Sequence, residues 1–235
     1  MATFLFLLFG LFIVLFPEKK PIITEPEQKQ DQLPRSREEI THGDKNKKQV
    51  IFTFDGGDSA TSGTKILDIL EKHHVKGTFF LTGKFIEKNS VLVRRMNGAG
   101  HEIYNHTYSH PYLTSITDDE IGGELWKMEK VLETTVNESS KPYFRPPYGD
   151  RDERVLKKAF SSGYQSVYWT IDALDWKESE GETDGTVRYR ILSTLAPGNI
   201  YLMHIGDNIT GNILDELFTT IESKGYKIVS LTQGL

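Results

Sequence analysis

From Gln49 to the C-terminus, short apolar runs with strand character alternate with helical patterns. This alternation constrains the fold more than any single motif. The strand signals are "VIFTF" at 50–54, "GTFFLT" at 77–82, "HEIYNH" at 101–106, "YFR" at 143–145, "QSVYWTID" at 165–172, "NIYLMH" at 199–204 and "YKIVSL" at 226–231. Helical patterns fill the intervals at 64–74, about 90–98, 118–135, 152–161, 185–195 and 212–223. Thr117-Asp118-Asp119-Glu120 has the spacing of a capping box, and "APG" at 196–198 and "SKG" at 223–225 read as helix stops. Strands that alternate with helices pair in parallel through crossover helices. About seven such strands predict an α/β fold, a distorted (β/α) barrel that is closed or nearly so. A doubly wound open sheet is the alternative.

The chain before Gln49 divides in two. Residues 1–16, "MATFLFLLFGLFIVLF", carry no charged side chain, and a helix there would satisfy its own backbone in lipid. At about 1.5 Å per residue it would span roughly 24 Å, slightly short of a bilayer core of about 30 Å. That length suits a signal-peptide core or a short anchor. No basic segment precedes it and no small-residue cleavage site stands before Pro17, so an uncleaved membrane anchor is expected. Lys19 and Lys20 pull the following chain inward by the positive-inside rule; an outward-facing domain is expected nonetheless, on the substrate argument below. Residues 17–48 mix charge signs with few large apolar groups, and such a segment buries too little surface to offset its ordering entropy. It reads as a flexible linker, leaving 49–235 as the folded domain.

Composition bears on two classes of function. The chain has no cysteine, hence no disulfide framework, thiolate metal site or cysteine nucleophile. Its net charge of −5 argues against nucleic acid as a partner.

In a parallel β/α barrel the loops after the strands form the active face. The first strand ends at Asp55, followed by Gly56, Gly57 and Asp58. The third ends at His106, which opens "HTYSH" with His110 four residues on. The fourth gives "RPPYG" from Arg145, the fifth runs from Asp172 into "DALDW" with Asp175 and Trp176, and the sixth ends at His204 in "LMH". Two imidazoles four apart can face one point, and neutral imidazole is the commonest ligand of Zn²⁺. A carboxylate on a neighbouring strand strengthens that reading. Arg145 can fix a carboxylate in one geometry, although "RPPYG" also reads as a proline-stiffened turn. Asp175 can set the tautomer and basicity of His204, or "DALDW" can be a strand end with a packing Trp. Of the other histidines, His42 falls in the linker, His73 and His74 read as solvated, and His101 precedes its strand and reads as structural.

"FTFDGGD", "HTYSH", "RPPYG", "DALDW" and "LMH", in this order, resemble the five motifs of the NodB-homology polysaccharide deacetylases, carbohydrate esterase family four. The resemblance covers 49–235, and "NHTYSHPYL" and "GTFFLTGKFIEKN" are similar to the bacterial branch acting on peptidoglycan or chitin-like glycans. It implies that Asp55 is the general base, that His106 and His110 hold a divalent metal (zinc, or cobalt), and that Arg145 orients Asp55. It also implies that the backbone N–H of Tyr148 helps stabilise the oxyanion and that His204 is the general acid, tuned by Asp175. Leu202 and Trp176 would line the pocket for the acetyl methyl.

The first motif departs from the family's pattern of two adjacent acids, base first and metal ligand second. Gly56 takes the ligand's place. Asp58 supplies the missing ligand, or water takes it, or Asp58 caps a helix beginning near Thr61. The expected activity is metal-dependent removal of acetyl groups from an extracytoplasmic polysaccharide, peptidoglycan or a chitin-like N-acetylglucosamine glycan, at the membrane's outer face or in the wall. The alternative is a glycan-binding module with a decayed metal site, using Tyr112, Tyr148 and Trp176 as sugar platforms.

Overall fold

The computed structural model describes Met1, residues 37–57 and residues 59–235. Its centre is a parallel sheet whose strands are β1 (Gln49–Gly56), β2 (Thr78–Leu81), β3 (Glu102–Asn105), β4 (Tyr143–Phe144), β5 (Gln165–Ser166), β6 (Ile171–Asp172), β7 (Ile200–His204) and β8 (Lys227–Val229). Along the sheet the order is β5-β4-β3-β2-β1-β7-β6, with β8 paired to the start of β1. The helices are α1 (Gly63–Lys72), α2 (Gly83–Lys88), α3 (Ser90–Gly98), α4 (Asp118–Val136), α5 (Glu153–Ser161), α6 (Asp184–Ser193), α7 (Ile209–Ser223) and α8 (Leu231–Gly234). Thr117 and Glu120 close the expected capping box at the start of α4.

Alternation along the strands sorts the side chains into two layers. On β1, Val50, Phe52 and Phe54 join the core beneath the helices, with Phe79, Leu81, Tyr201, Met203 and residues of α1 and α7. Ile51, on the other face, packs with Phe80, Tyr104, Val167, Ile200 and Leu231 inside the curl of the sheet. Thr53 and Asp55 continue this inner row towards the C-terminal end of the strand. The same period brings Leu202 and His204 of β7 alongside them, since Thr53 is in register with Leu202 and Asp55 with His204.

One expected strand is two. The run 165–172 begins as β5 beside β4 and ends as β6 beside β7, at opposite ends of the sheet order. Residues 167–170 bridge the two edges of the curled sheet, with Val167 N–H donating to Phe144 O and Thr170 N–H to Ile200 O. The result is a half-barrel closed by a crossing segment rather than by a continuous ladder.

The described part of the linker is also structured. Ile40 forms a parallel bridge with Val167, Glu39 pairs with Arg151 at 2.7 Å, and Gly43 N–H donates to Gly198 O. The packed chain therefore begins before Gln49, because these residues cover the gap between the sheet edges; 17–36 lies outside the described residues. So does the apolar run 1–16 except for Met1. Among the described residues no helix is long and apolar enough to cross a membrane. His73, read as solvated, instead bridges Asp215 and Glu222 with its side chain largely buried. His101 is structural as expected: buried, its Nδ1 accepts the N–H of Gly77.

Candidate active site

The inner row of β1 ends in a buried ion pair. Arg145, fully buried just beyond β4, donates from one terminal nitrogen to Asp55 Oδ1 at 2.6 Å and to Thr53 Oγ1 at 2.9 Å. Its other nitrogens bond the carbonyls of Val167 (3.2 Å) and Tyr168 (3.1 Å), and its guanidinium lies over the Phe80 ring at 4.1 Å. Each guanidinium nitrogen is thus engaged by the crossing segment or the inner row, which fixes the face presented to Asp55. Burial raises the Asp55 carboxyl above its ordinary range, and the charge of Arg145 opposes that rise.

The two motif imidazoles meet on the loop after β3. His106 Nδ1 faces the carbonyl of Arg145 at 2.8 Å. A carbonyl only accepts, so Nδ1 carries the hydrogen and Nε2 keeps its lone pair. That Nε2 lies 3.1 Å from His110 Nε2 and 3.5 Å from Asp55 Oδ2. Burial pushes both imidazoles down to about 3, so both are neutral. The loop that holds them is strained and clamped: Thr107 and His110 both adopt a φ of 65°, a left-handed conformation unusual for a β-branched residue. Asn105 Oδ1 accepts the Thr107 N–H, and Glu124 of α4 accepts the N–H groups of Tyr108 and Ser109 at 3.0 and 2.7 Å. Two neutral nitrogen donors facing one point, with a carboxylate oxygen beside them, fit a divalent cation.

Across the cavity His204 is held by Asp175, which is wholly buried. Asp175 Oδ1 lies 2.9 Å from His204 Nδ1, and Oδ2 accepts the His204 backbone N–H at 2.7 Å and the hydroxyl of Thr210. Burial opposes a charge on His204, but the carboxylates around it, Asp175 first with Asp55 and Asp172, together outweigh it and lift the imidazole to about 9. Asp175, His204 and Asp207 can each bring one donor atom within 4.8 Å of the others, a grouping that could hold a cation. The Asp175 oxygens, however, already accept three hydrogen bonds, one of them from the Nδ1 of His204. The Nε2 atoms of His106 and His110 instead face each other, with Asp55 Oδ2 beside them.

These groups line one cavity of about 360 Å³. Asp55, His106, His110, Tyr148, Trp176, Leu202 and His204, expected from the sequence, all reach it. Arg145 and Asp175 stand behind its wall, each holding a residue that does. Tyr148 has a left-handed backbone, and its exposed ring stacks on Tyr112 at 4.1 Å and meets His110 edge-on. Asp58 lies outside the described residues. Trp169 and Asp207 belong to none of the five motifs, and Thr53 stands in the first of them, two residues before Asp55. The period-2 spacing from Asp55 points to Thr53, whereas Trp169 and Asp207 sit in a crossing segment and a loop that carry no periodic signal.

Gly56 points the other way. By alternation it faces the helix layer, and a Cβ there would meet Leu81 Cδ2 at 2.7 Å, Ile205 Cδ1 at 3.1 Å and Phe85 Cδ2 at 3.3 Å. A carboxylate at position 56 would start in the apolar core rather than in the cavity.

Known proteins carry the same architecture. Residues 42–167 match the family model described as polysaccharide deacetylase. The peptidoglycan-N-acetylmuramic acid deacetylase PdaA of Bacillus subtilis is 35% identical over 189 residues, covering 80% of this chain and 72% of that protein. A peptidoglycan-N-acetylglucosamine deacetylase of Bacillus cereus is 37% identical over 193 residues, covering 80% and 69%. The solved structure of B. subtilis PdaA, a family 4 carbohydrate esterase, superimposes with a TM-score of 0.79 at 33% identity, covering 84% of this chain and 85% of that one. BA3943 of Bacillus anthracis, described as a CE4 family pseudoenzyme, gives 0.79 at 32% identity, covering 85% and 69%. A mutant of it is described as having restored enzymatic activity, so this fold carries both active and silent members. With the half-barrel, the five strand-end motifs and these matches in agreement, the chain belongs to the polysaccharide deacetylase family.

Proposed function

We propose that this protein is a metal-dependent deacetylase that removes N-acetyl groups from an extracytoplasmic glycan, with peptidoglycan the favoured substrate and chitin-like N-acetylglucosamine chains next. One observation carries the reading. Asp55 and His204 stand in register on adjacent strands β1 and β7, and each is held by its own buried partner, Arg145 and Asp175. A base and an acid with separate tuning are what amide hydrolysis requires, and a module that only binds sugar needs neither.

In this mechanism Asp55, kept ionised by Arg145, takes a proton from the attacking water. His204 enters protonated and delivers its proton to the departing amine, while Asp175 holds the imidazole in the donating tautomer. Tyr148 offers its backbone N–H to the developing oxyanion, and Leu202 and Trp176 enclose the acetyl methyl. His106 and His110 would hold the cation, zinc or cobalt, with Asp58 or water taking the place that Gly56 leaves. When bound, such a cation supplies Lewis-acid polarisation of the acetyl carbonyl and a more acidic water. The N-terminal apolar run would anchor the domain at the outer face of the membrane, near the wall.

Gly56 favours a second reading, a glycan-binding relative without activity, as does the similarity to a pseudoenzyme. Mass analysis of peptidoglycan fragments after treatment with the zinc-loaded protein separates the two. Loss of acetyl from glucosamine or muramic acid units supports the deacetylase and names the sugar. Unchanged fragments from a protein with zinc bound would leave the binding reading.

A further inference from the structure

Asp207, on the loop between β7 and α7, has a carboxyl oxygen that the catalytic scheme does not use. Oδ1 accepts the Thr210 N–H at 3.1 Å, while Oδ2 is buried and has no hydrogen-bond partner among the described residues. The loop is held in place: Ile205 N–H donates to Asp55 O, Ser62 N–H to Ile205 O, and the Ser62 hydroxyl to Asp207 O. Asp207 therefore cannot easily turn its carboxyl to solvent.

The neighbour it faces is Asp175, with donor atoms of the two carboxyls and of His204 all within 4.8 Å of one another. Two ionised carboxylates so close in a buried site repel, and a buried acceptor without a donor is costly. An ionised carboxylate offers about four acceptor sites. On Asp175 three are filled, by His204 Nδ1, His204 N–H and the Thr210 hydroxyl. One proton on Asp207 removes the repulsion and supplies the fourth donor.

We propose that Asp207 is a positioning residue for the general acid: its carboxyl keeps a proton and donates it to Asp175, fixing that carboxylate as it holds His204. Burial, reinforced by the charge of Asp175, raises Asp207 to about 7, so the proton is present below that pH and lost above it. The titratable groups facing Asp207 are Asp175, on the turn after β6, and His204 at the end of β7. From α7 its carboxyl meets the Thr210 N–H, and from the residue before α1 the Ser62 hydroxyl reaches its backbone carbonyl; neither titrates in this range. Once Asp207 ionises, Asp175 loses its fourth donor and gains a like charge.

The catalytic consequence rests on the deacetylase reading, but the proton on Asp207 can be read without it. The carboxyl carbon of Asp207, assigned by NMR in the full chain, is expected to titrate with a midpoint near 7. A midpoint at or below about 4, the ordinary range for aspartate, overturns the proposal whether or not the protein releases acetate. If it does, wild-type kcat is expected to fall as pH rises through about 7, whereas Asp207→Asn, which keeps a neutral donor, holds its rate towards pH 9. Coincident profiles, or a folded, zinc-containing Asp207→Asn with no activity at pH 6, would show that Asp207 acts as a carboxylate and refute the inference. No acetate release together with a midpoint near 7 would instead count against the deacetylase reading alone.

Discussion

Asp175 holds His204 at two points, accepting from its ring nitrogen at 2.9 Å and from its backbone N–H at 2.7 Å. The carboxylate fixes the imidazole relative to its own strand, so the proton on Nε2 can only point into the cavity. The first prediction follows from this double grip. Asp175→Asn keeps the shape but removes the foremost of the charges that lift His204 to about 9. Its kcat should fall by about 10²–10⁴, the usual worth of a positioned general acid, and the last alkaline loss of activity should move down towards 6.5. A pH–rate series on both proteins measures it.

The pH window has a definite sign. On the proposed mechanism Asp55, raised by burial, acts ionised, so activity is expected to be lost as pH falls through its raised value. On the same mechanism His204, raised to about 9, acts protonated, so activity is expected to disappear finally above that pH, beyond the earlier fall at about 7 proposed for Asp207. The same shift is a stability term. Folding raises His204 above its ordinary 6.5, so its contribution is complete below 6.5 and is lost as pH rises through about 9. Chemical denaturation at pH 6, 8 and 10 should show stability declining along that series.

Breaking the buried pair on β1 should be costly in a different way. Arg145→Met leaves Asp55 buried without its cation, a change worth about 3–5 kcal/mol, visible as a lower denaturation midpoint. Asp55→Asn keeps a hydrogen-bond acceptor for Arg145 but leaves its buried charge unpaired, and should lower kcat by about 10²–10⁴ as well as stability.

Metal binding distinguishes the two donor groups. His106→Ala or His110→Ala should abolish stoichiometric zinc in the purified protein, and Asp207→Asn should leave it intact. Metal analysis after dialysis against limiting zinc reads this directly. Zinc lost from Asp207→Asn but retained by His110→Ala would move the site to the Asp175 cluster.

Position 56 offers a test of the outward-facing glycine. Gly56→Asp drives a Cβ to 2.7 Å from Leu81 Cδ2, an overpacking expected to cost about 1–3 kcal/mol. Zinc affinity should not improve. A tighter-binding variant of unchanged stability would show that the strand end turns its side chain into the cavity.

Much of this was legible in the sequence because parallel strands expose their C-terminal ends to one face. Asp55, His106, Arg145, Asp175 and His204 could be named from strand ends alone, and the structure gathers all five at one place. What could not be read lay off the periodic elements. The run 165–172 looks like one strand because its middle is rich in β-branched and aromatic residues, yet that middle crosses between sheet edges and supplies the carbonyls that aim Arg145. The packing of 37–48 was hidden by polar composition, since backbone bonds such as Gly43 N–H to Gly198 O need no apolar side chain. Asp207 escaped because Asp175, the carboxyl it faces, lies on a different loop.

The most direct measurement is acetate release from peptidoglycan and N-acetylglucosamine oligomers by the chelator-stripped protein, before and after zinc or cobalt is restored, with Asp55→Asn in parallel. Release only with metal, and at least about a hundredfold slower in Asp55→Asn, is expected. No release from a folded wild-type protein that demonstrably holds metal, or equal release by Asp55→Asn, would contradict the assignment of Asp55 and His204 as a working base and acid.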